Sequence, residues 1–225
     1  MKQTISLVAA IVLMAACSKS ETPSAVTPAV SADAETAPVP ATVSPPTAPA
    51  TPSFDCAKAE SEAEQLVCNN NALAVLDNRL AAVYAAELAK PGAAKELAAT
   101  QRGWVKGRDE CWKAEDKQLC VEEAYRTRIA ELQINSPGAM AATAIAYKCD
   151  DARNPLYMAF YNEYDDRPAV ITLGNDQAII FAQPTGSGAR YGRTGISYWE
   201  HQGDVSVDYF GTKLQCTTLP ASSNR

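Results

Sequence analysis

Apolar residues recur at helical spacing through the first half of the folding-competent chain. Leu73, Leu76, Leu80, Val83, Tyr84 and Leu88 return at three- and four-residue steps, which lays them on one face of a helix. Asn69 to Asn71 stand just before that face as cap candidates, and Pro91-Gly92 ends it. Leu97, Gln101, Trp104, Val105 and Arg108 form the face of a second helix, and Val121, Tyr125, Ile129 and Leu132 that of a third. From Ala144 onward the period shortens to two. Ile145 to Tyr147, Leu156 to Tyr161, Ala169 to Leu173, Ala178 to Ala182, Ile196 to Trp199 and Val205 to Phe210 are short alternating runs that predict strands. Gly174-Asn175-Asp176, Gly203-Asp204 and Gly211 supply the turns between them. The chain therefore divides into a helical segment over 53–136 and a β segment over 144–220, with no internal repeat.

Neither period exists before Ser53. Met1-Lys2-Gln3 carries one positive charge, Ile5 to Met14 is a short apolar run, and Ala15-Ala16 precedes Cys17. Such a run is too short for a permanent span and reads as a signal peptide over 1–16. The small-small-Cys ending resembles the lipobox of bacterial lipoproteins, which implies that Cys17 becomes the acylated first residue, palmitate included. Met14 stands where Leu is commoner in that pattern, with Leu13 beside it. Ser18 rather than Asp after the cysteine resembles the pattern sorted to the outer membrane, facing the periplasm of a Gram-negative cell. Residues 17–52 are rich in Pro, Ala, Thr, Ser and Val and contain no aromatic residue, so they cannot bury a core. A tether of that length reaches on the order of 30–100 Å. It sets the folded part off from the membrane to which acyl chains would hold it.

Charge adds one constraint. Lys+Arg number 20 against Asp+Glu 26, a formal net charge of −6, which argues against nucleic acid and suits a basic partner. Cysteine adds more. Seven cysteines behind an export leader point to an oxidising compartment. With Cys17 set aside, Cys56, Cys68, Cys111 and Cys120 fall in the helical segment, and Cys149 and Cys216 at the two ends of the β segment. Segments this small need staples. Keeping helical and β cysteines apart leaves three pairings, of which Cys56–Cys68, Cys111–Cys120 and Cys149–Cys216 is the favoured set. A zinc site lacks both C-x-x-C spacing and a histidine partner, and one histidine in the whole chain excludes a His-rich centre.

Several motifs go beyond pattern. Phe54-Asp55-Cys56-Ala57-Lys58-Ala59, Glu64, Cys68, Leu76-Asp77, Arg79-Leu80, Tyr84, Gln101-Arg102-Gly103-Trp104, Arg108-Asp109, Cys111, Cys120, Tyr125 and Arg128-Ile129 resemble the LprI-type domain, a family associated with lysozyme inhibition. Tyr147-Lys148-Cys149, Ser187-Gly188-Ala189-Arg190-Tyr191, Tyr198-Trp199 and the closing Cys216 resemble the MliC family, the membrane-bound inhibitors of c-type lysozyme. The second resemblance implies a small antiparallel β-barrel with one disulfide. The expected fold is thus multi-domain α plus β: a disulfide-stapled helical module followed by such a barrel. In the MliC family a serine of the Ser-Gly-Ala-Arg-Tyr segment and a lysine after the Tyr/Phe-Trp pair enter the enzyme's cleft, where the lysine meets two catalytic carboxylates. Ser187 matches the serine. The lysine position, counted from Trp199 or from Cys216, falls on His201, with Glu200 beside it. Histidine carries its charge only when protonated.

The candidate contact residues are therefore Ser187, Arg190, Tyr191 and His201. On their own residue types the same positions have plainer roles: Ser187 as a turn residue, Arg190 as a brace to a nearby carboxylate, Tyr191 and Trp199 as barrel core. Trp104 suits an apolar helix face and Trp112 a helix end, while Asp150-Asp151 and Asp165-Asp166 suit solvated turns. There is no G-x-S-x-G elbow, P-loop or metal motif, so no catalytic residue and no cofactor are assigned. The expected function is inhibition of lysozyme, c-type foremost, by a lipid-anchored protein; oligomeric state is left open. Two alternatives stand beside it: a non-catalytic envelope module that binds cell-wall fragments or other envelope proteins, and a structural role in which the helical segment docks on the barrel. Lysozymes of c type are strongly basic, and the helical segment carries fourteen acidic against eleven basic residues. A steered inhibitor would lose on-rate as salt rises.

Overall fold

The structure, a computed structural model, describes residues 49–92, 94–140, 142–150 and 155–219. The expected signal peptide, Cys17 and the tether up to residue 48 lie outside the described residues, as does Asp151. Four α-helices come first: α1 (Glu62–Asn69), α2 (Asn71–Leu88), α3 (Ala94–Asp109) and α4 (Lys117–Ile134). Local chemistry sets their starts. Ser61 accepts from the Glu64 amide while the Glu64 carboxylate reaches back to the Ser61 amide, a capping box that opens α1. Asn70, extended at φ −128°, accepts from the Ala72 and Leu73 amides and so stops α1 and starts α2 in one residue. Asp116 accepts from Leu119 to open α4. The pairs Cys56–Cys68 and Cys111–Cys120 clasp helix ends.

Motif residues fill the interior of the helices. Arg108 is only 5% exposed and lies over the Trp104 and Tyr125 rings at 5.4 and 5.9 Å. It donates to Asp109 Oδ1 at 2.7 and 3.0 Å and to Tyr125 Oη at 3.1 Å, with Glu64 Oε1 3.6 Å away. Tyr125 Oη in turn donates to Asp77 Oδ1 at 2.9 Å, and Asp77, 7% exposed, also accepts the Ser53 amide. Ser61 Oγ closes the circuit on Asp109. Burial pushes the Glu64 carboxyl up, but the Ser61 and Glu60 amides and the Arg108 charge outweigh that and hold it below the usual range. Each of the four helices contributes a polar group to one network, while Leu73, Leu80, Val121, Ile129 and Leu132 pack around it.

Eight strands follow and close on themselves: β1 (Ala144–Cys149), β2 (Leu156–Phe160), β3 (Pro168–Leu173), β4 (Asp176–Ala182), β5 (Ala189–Arg193), β6 (Ile196–His201), β7 (Asp204–Tyr209) and β8 (Thr212–Thr218). Every neighbouring pair is antiparallel, and β8 pairs with β1 so that Cys149 faces Cys216 and is bonded to it. Closure leaves no edge strand to protect. Leu156, Met158, Ile171, Ile180, Tyr198, Val205 and Val207 point inward at period two. Tyr147 and Tyr198 share a hydrogen bond of 3.0 Å inside the barrel. The six expected strand runs are all present. β5 and β8, not expected, add two more, and α1 adds a helix to the three expected.

Helices and barrel belong to one compact unit. The contacts across their seam are specific and largely polar. Arg79 Nη1 meets Asp166 at 2.7 Å, Tyr164 Oη donates to the Gln133 carbonyl at 3.1 Å, and the Thr194 amide donates to Glu123 Oε1 at 2.7 Å. The Arg126 guanidinium lies 4.3 Å over the buried Phe181 ring. Asp166, expected in a solvated turn, is thus a partner of a helical arginine; Asp165 also lies 3.7 Å from Arg79 Nη2, but its side chain stays 89% exposed. Asp150 Oδ1 accepts from the Gln215 amide.

Tyr125 generates a test of the helical network. Tyr125→Phe removes the link between Asp77 and Arg108, and a loss of about 1–3 kcal/mol in unfolding free energy is expected. Burial, first, and the nearby Asp77 charge raise the Tyr125 pKa well above the ordinary 10, although Arg108 opposes them. The fold therefore favours the protonated phenol. Its stability contribution is whole below about pH 10 and declines above it. Denaturant titrations from pH 8 to 11 check both points: the variant is less stable at pH 8 and falls less steeply on the alkaline side.

Candidate functional site

The register of β5 on β6 decides where the candidate residues go. Ala189 pairs with Glu200, Arg190 with Trp199 and Tyr191 with Tyr198. The Ser187-Gly188 loop therefore arrives beside the end of β6. Gly188 makes that approach possible: its φ is +69°, and a Cβ there would stand 1.9 Å from the Glu200 carbonyl oxygen and 3.3 Å from His201 Cα. Thr185 Oγ1 fixes the loop from within, donating to the Ser187 carbonyl at 2.7 Å, while the Gln183 amide bonds to the Arg190 carbonyl at 2.8 Å. Ser187 is left exposed at the tip, and its hydroxyl has no hydrogen bond among the described residues.

His201 closes β6. It is half-buried, and its ring lies parallel to Trp199 at 11° with centroids 5.7 Å apart. Gln202 and Gly203, at φ +54° and +91°, form the two-residue turn to β7 that positive φ at both positions requires. Alternation sends Glu200 to the other face, where it accepts the Gly203 amide at 3.0 Å. The carboxylate that adjoins His201 in sequence thus serves the turn rather than standing in front of the imidazole. Asp204 is the residue paired with His201 across the strands.

Arg190 projects from the outer wall of the barrel, exposed and without an ion pair among the described residues, so the expected brace to a carboxylate is not formed. It borders a groove of about 530 Å³ with Thr185, Trp199, Ser206, Lys213 and Gln215. Trp199 is 44% exposed, not core, because inward-facing Ile196 and Tyr198 force the odd positions of β6 outward. Tyr191 does the opposite. It is 8% exposed, packs on Phe160 at 5.1 Å and donates to Asn162 Oδ1 at 3.3 Å. Burial raises its pKa, with Arg167 opposing. A side chain enclosed to this degree holds the loop's base from inside and offers almost no surface to a partner.

The structure therefore brings Ser187, Arg190 and His201 to one rim and turns Tyr191 away from it. Lys213 and Gln215 were not anticipated in the groove beside Trp199, because β8 has only Leu214 and Cys216 as apolar markers. Their alternation between Thr212 and Thr218 is the signal that identifies the strand. Trp104 occupies the helical interior, its Nε1 bonded to the Ala124 carbonyl, and Trp112 is 56% exposed beyond α3. Among the described residues no cluster of His, Cys, Asp and Glu is arranged to hold a metal, and no helix is long and apolar enough to cross a membrane.

The geometry isolates Gly188. Gly188→Ala is expected to push the Ser187 loop off Glu200 and to place a side chain at positive φ, at a cost of about 1–3 kcal/mol. Thermal unfolding measures the cost. Amide chemical shifts should change at Ser187 and His201 while those of Cys149 and Cys216 stay put.

Comparison with known proteins gives the geometry a context. The family model described as "Lysozyme inhibitor LprI" matches residues 56–132, and that described as "Membrane-bound lysozyme-inhibitor of c-type lysozyme" matches residues 147–215. The chain is 42% identical over 166 residues to the protein named Lipoprotein LprI in Mycobacterium bovis and in Mycobacterium tuberculosis, spanning 74% of this chain and 84% of the relative. No solved structure matches it.

Proposed function

The chain belongs to the LprI family, with an LprI-type helical domain joined to an MliC-type barrel, and from that premise we propose that it is a non-catalytic envelope lipoprotein that inhibits lysozyme. The observation that carries the finer mechanism is the rim: Ser187, Arg190 and His201 stand together at one end of the β5–β6 hairpin, with Ser187 exposed and backed by Gly188 on β6. In the proposed complex this rim enters the cleft of a c-type lysozyme. The Ser187 hydroxyl supplies a hydrogen bond, and the His201 imidazolium faces the two catalytic carboxylates, where a charge-assisted bond is strongest. Arg190 adds a second cation from the wall. Tyr191 is a positioning residue that keeps the base of the loop in place. A turbidity assay on lysozyme-digested cell walls tests the proposal: inhibition at micromolar concentration is expected, and its absence overturns it.

A second function has one supporting observation. The groove under Trp199 combines an exposed indole with Ser206, Gln215 and Lys213, a set that suits a sugar ring, so binding of cell-wall fragments is the alternative. Raised salt separates the two, since steered association with a basic enzyme slows and sugar stacking hardly responds.

Cys17 is proposed as the acylated anchor, and Ser18 as the residue that directs the protein to the outer membrane, facing the periplasm. Cys17→Ser is expected to move the protein from the membrane to the soluble fraction with its melting temperature unchanged. Retention in membranes would count against the anchor.

His201 makes inhibition depend on pH. Imidazole gains its charge between about pH 8 and 5, whereas lysine keeps it throughout. Binding beside carboxylates favours the charged ring, so the complex takes up a proton and affinity rises as pH falls. Glu200 faces the turn, and Asp204 is the carboxylate residue paired with His201 across the strands. The enzyme's glutamic acid loses its charge near pH 6 and opposes the trend, so the useful comparison is with His201→Lys. That variant should bind several-fold more tightly at pH 7.5, with its advantage shrinking at pH 5.5. Equal affinities for wild type, His201→Lys and His201→Ala at both pH values would place His201 outside the cleft.

A further inference from the structure

A cavity of about 690 Å³ opens at the seam of helices and barrel, at the turn end of the β5–β6 hairpin and therefore opposite the Ser187–His201 rim. Its walls are mainly apolar: the Trp104 ring, Leu119, Ala124 and the Cys111–Cys120 disulfide. Thr127 also lines it, and the Thr127 hydroxyl is buried with no hydrogen-bond partner. That oxygen is closed off from the cavity space as well as from bulk water, so it marks packing behind the wall and offers nothing to an entering group.

Carboxylates surround this apolar interior. Glu115 makes no hydrogen bond or ion pair among the described residues; Asp116 engages only the Leu119 amide, and Glu123 only the Thr194 amide. Two cations also border the cavity, but Arg108 is committed to Asp109 and Tyr125, which leaves Arg193 alone against three acids. An apolar cleft with an acidic rim fits a long basic side chain. Its methylenes lie against Leu119 and the disulfide, and its charged head meets Glu115, Asp116 and Glu123.

Resting on the inhibitor function proposed above, we infer that this seam cleft is a second contact with the enzyme and takes an arginine or lysine presented by a surface loop of the basic lysozyme. The barrel rim then blocks the catalytic cleft while the helical domain grips the enzyme elsewhere. The β5–β6 hairpin ties the two contacts together, since Thr194 at its turn is held by Glu123 and His201 ends its second strand. The two domains would thus share one partner rather than act on separate ones.

The test uses the full chain carrying Cys17→Ser for solubility, with binding to a c-type lysozyme measured at low and high salt. Glu115→Gln should slow association several-fold at low salt and make little difference at high salt. Glu115→Lys should slow association further at low salt while leaving the melting temperature unchanged, because that side chain is exposed and supports nothing in the fold. Cleft variants that bind like the wild type, while Ser187→Ala or Gly188→Ala binds less, would overturn the second contact and leave the barrel as the inhibitor. A parent chain that binds no lysozyme at any salt removes the inhibitor function, and the second contact with it.

Discussion

Burying the guanidinium of Arg108 constrains the helical domain more than any other single feature. An arginine taken out of water needs its donors engaged and its charge balanced. Here Asp109 follows it in sequence, Tyr125 comes from α4 and relays to Asp77 on α2, and Glu64 and Ser61 come from the start of α1. The Trp104 and Tyr125 rings, in edge-to-face contact with each other at 5.1 Å, together line one side of the charge. No helix can shift by a turn without stranding one of these groups. Replacing such a network by apolar residues is often neutral, but breaking one member is expensive. Its effect is to allow a single arrangement of four short helices, and the two disulfides hold the ends of that arrangement.

That arrangement determines where α4 stands, and α4 carries the seam. Glu123, Arg126 and Gln133 lie on it and meet Thr194, Phe181 and Tyr164 of the barrel, while α2 adds Arg79 against Asp166. These contacts are mostly single hydrogen bonds and ion pairs, each worth little at a surface. Their value is positional. The Glu123 bond holds the turn of the β5–β6 hairpin, and five residues further along β5, about 16 Å at strand rise, the same hairpin presents the Ser187 loop and His201. A rigid strand pair fastened at one end keeps its other end in register. The barrel closes independently through β1 and β8 with Cys149–Cys216, so the orientation of the rim and the stability of the barrel rest on different interactions.

The parts of the fold legible in the chain were those whose signal is local and repeated. α2, α3 and α4 show their apolar faces, Asn70 lies among the expected caps, and six strands declare themselves by alternation. α1 is too short for a face, with Ala63 and Val67 its only buried residues; its mark is the Ser61 and Glu64 capping box instead. β5 hides because Arg190, Gly192 and Arg193 make it polar and glycine-bearing, and Gly192 is required where Gln183 Nε2 and the Ile196 carbonyl each come within 2.9 Å of a would-be Cβ. The candidate site was legible as residue types but not as geometry. Whether Trp199 and Tyr191 face in or out depends on strand parity, and parity is fixed by tertiary closure, not by either residue's apolarity.

Parity also bears on what family resemblance means in each half of the chain. In the helical domain the residues that carry the resemblance, Asp77, Trp104, Arg108, Asp109, Tyr125 and Arg128, are largely the interior network. A partner cannot touch a side chain that is 5% exposed. Those residues therefore account for the shape of the domain, and any contact it makes must come from exposed positions that the motif leaves unspecified, such as Trp112, Glu115 and Leu119. In the barrel the Ser187-Gly188-Ala189-Arg190-Tyr191 segment mixes both kinds at alternating positions: Gly188 and Tyr191 build, Ser187 and Arg190 face solvent. A change of side chain at the end of β6 alters only the second kind. His201 lies half-buried on the outward-facing positions of β6, so its side chain can change while the barrel that presents it stays the same.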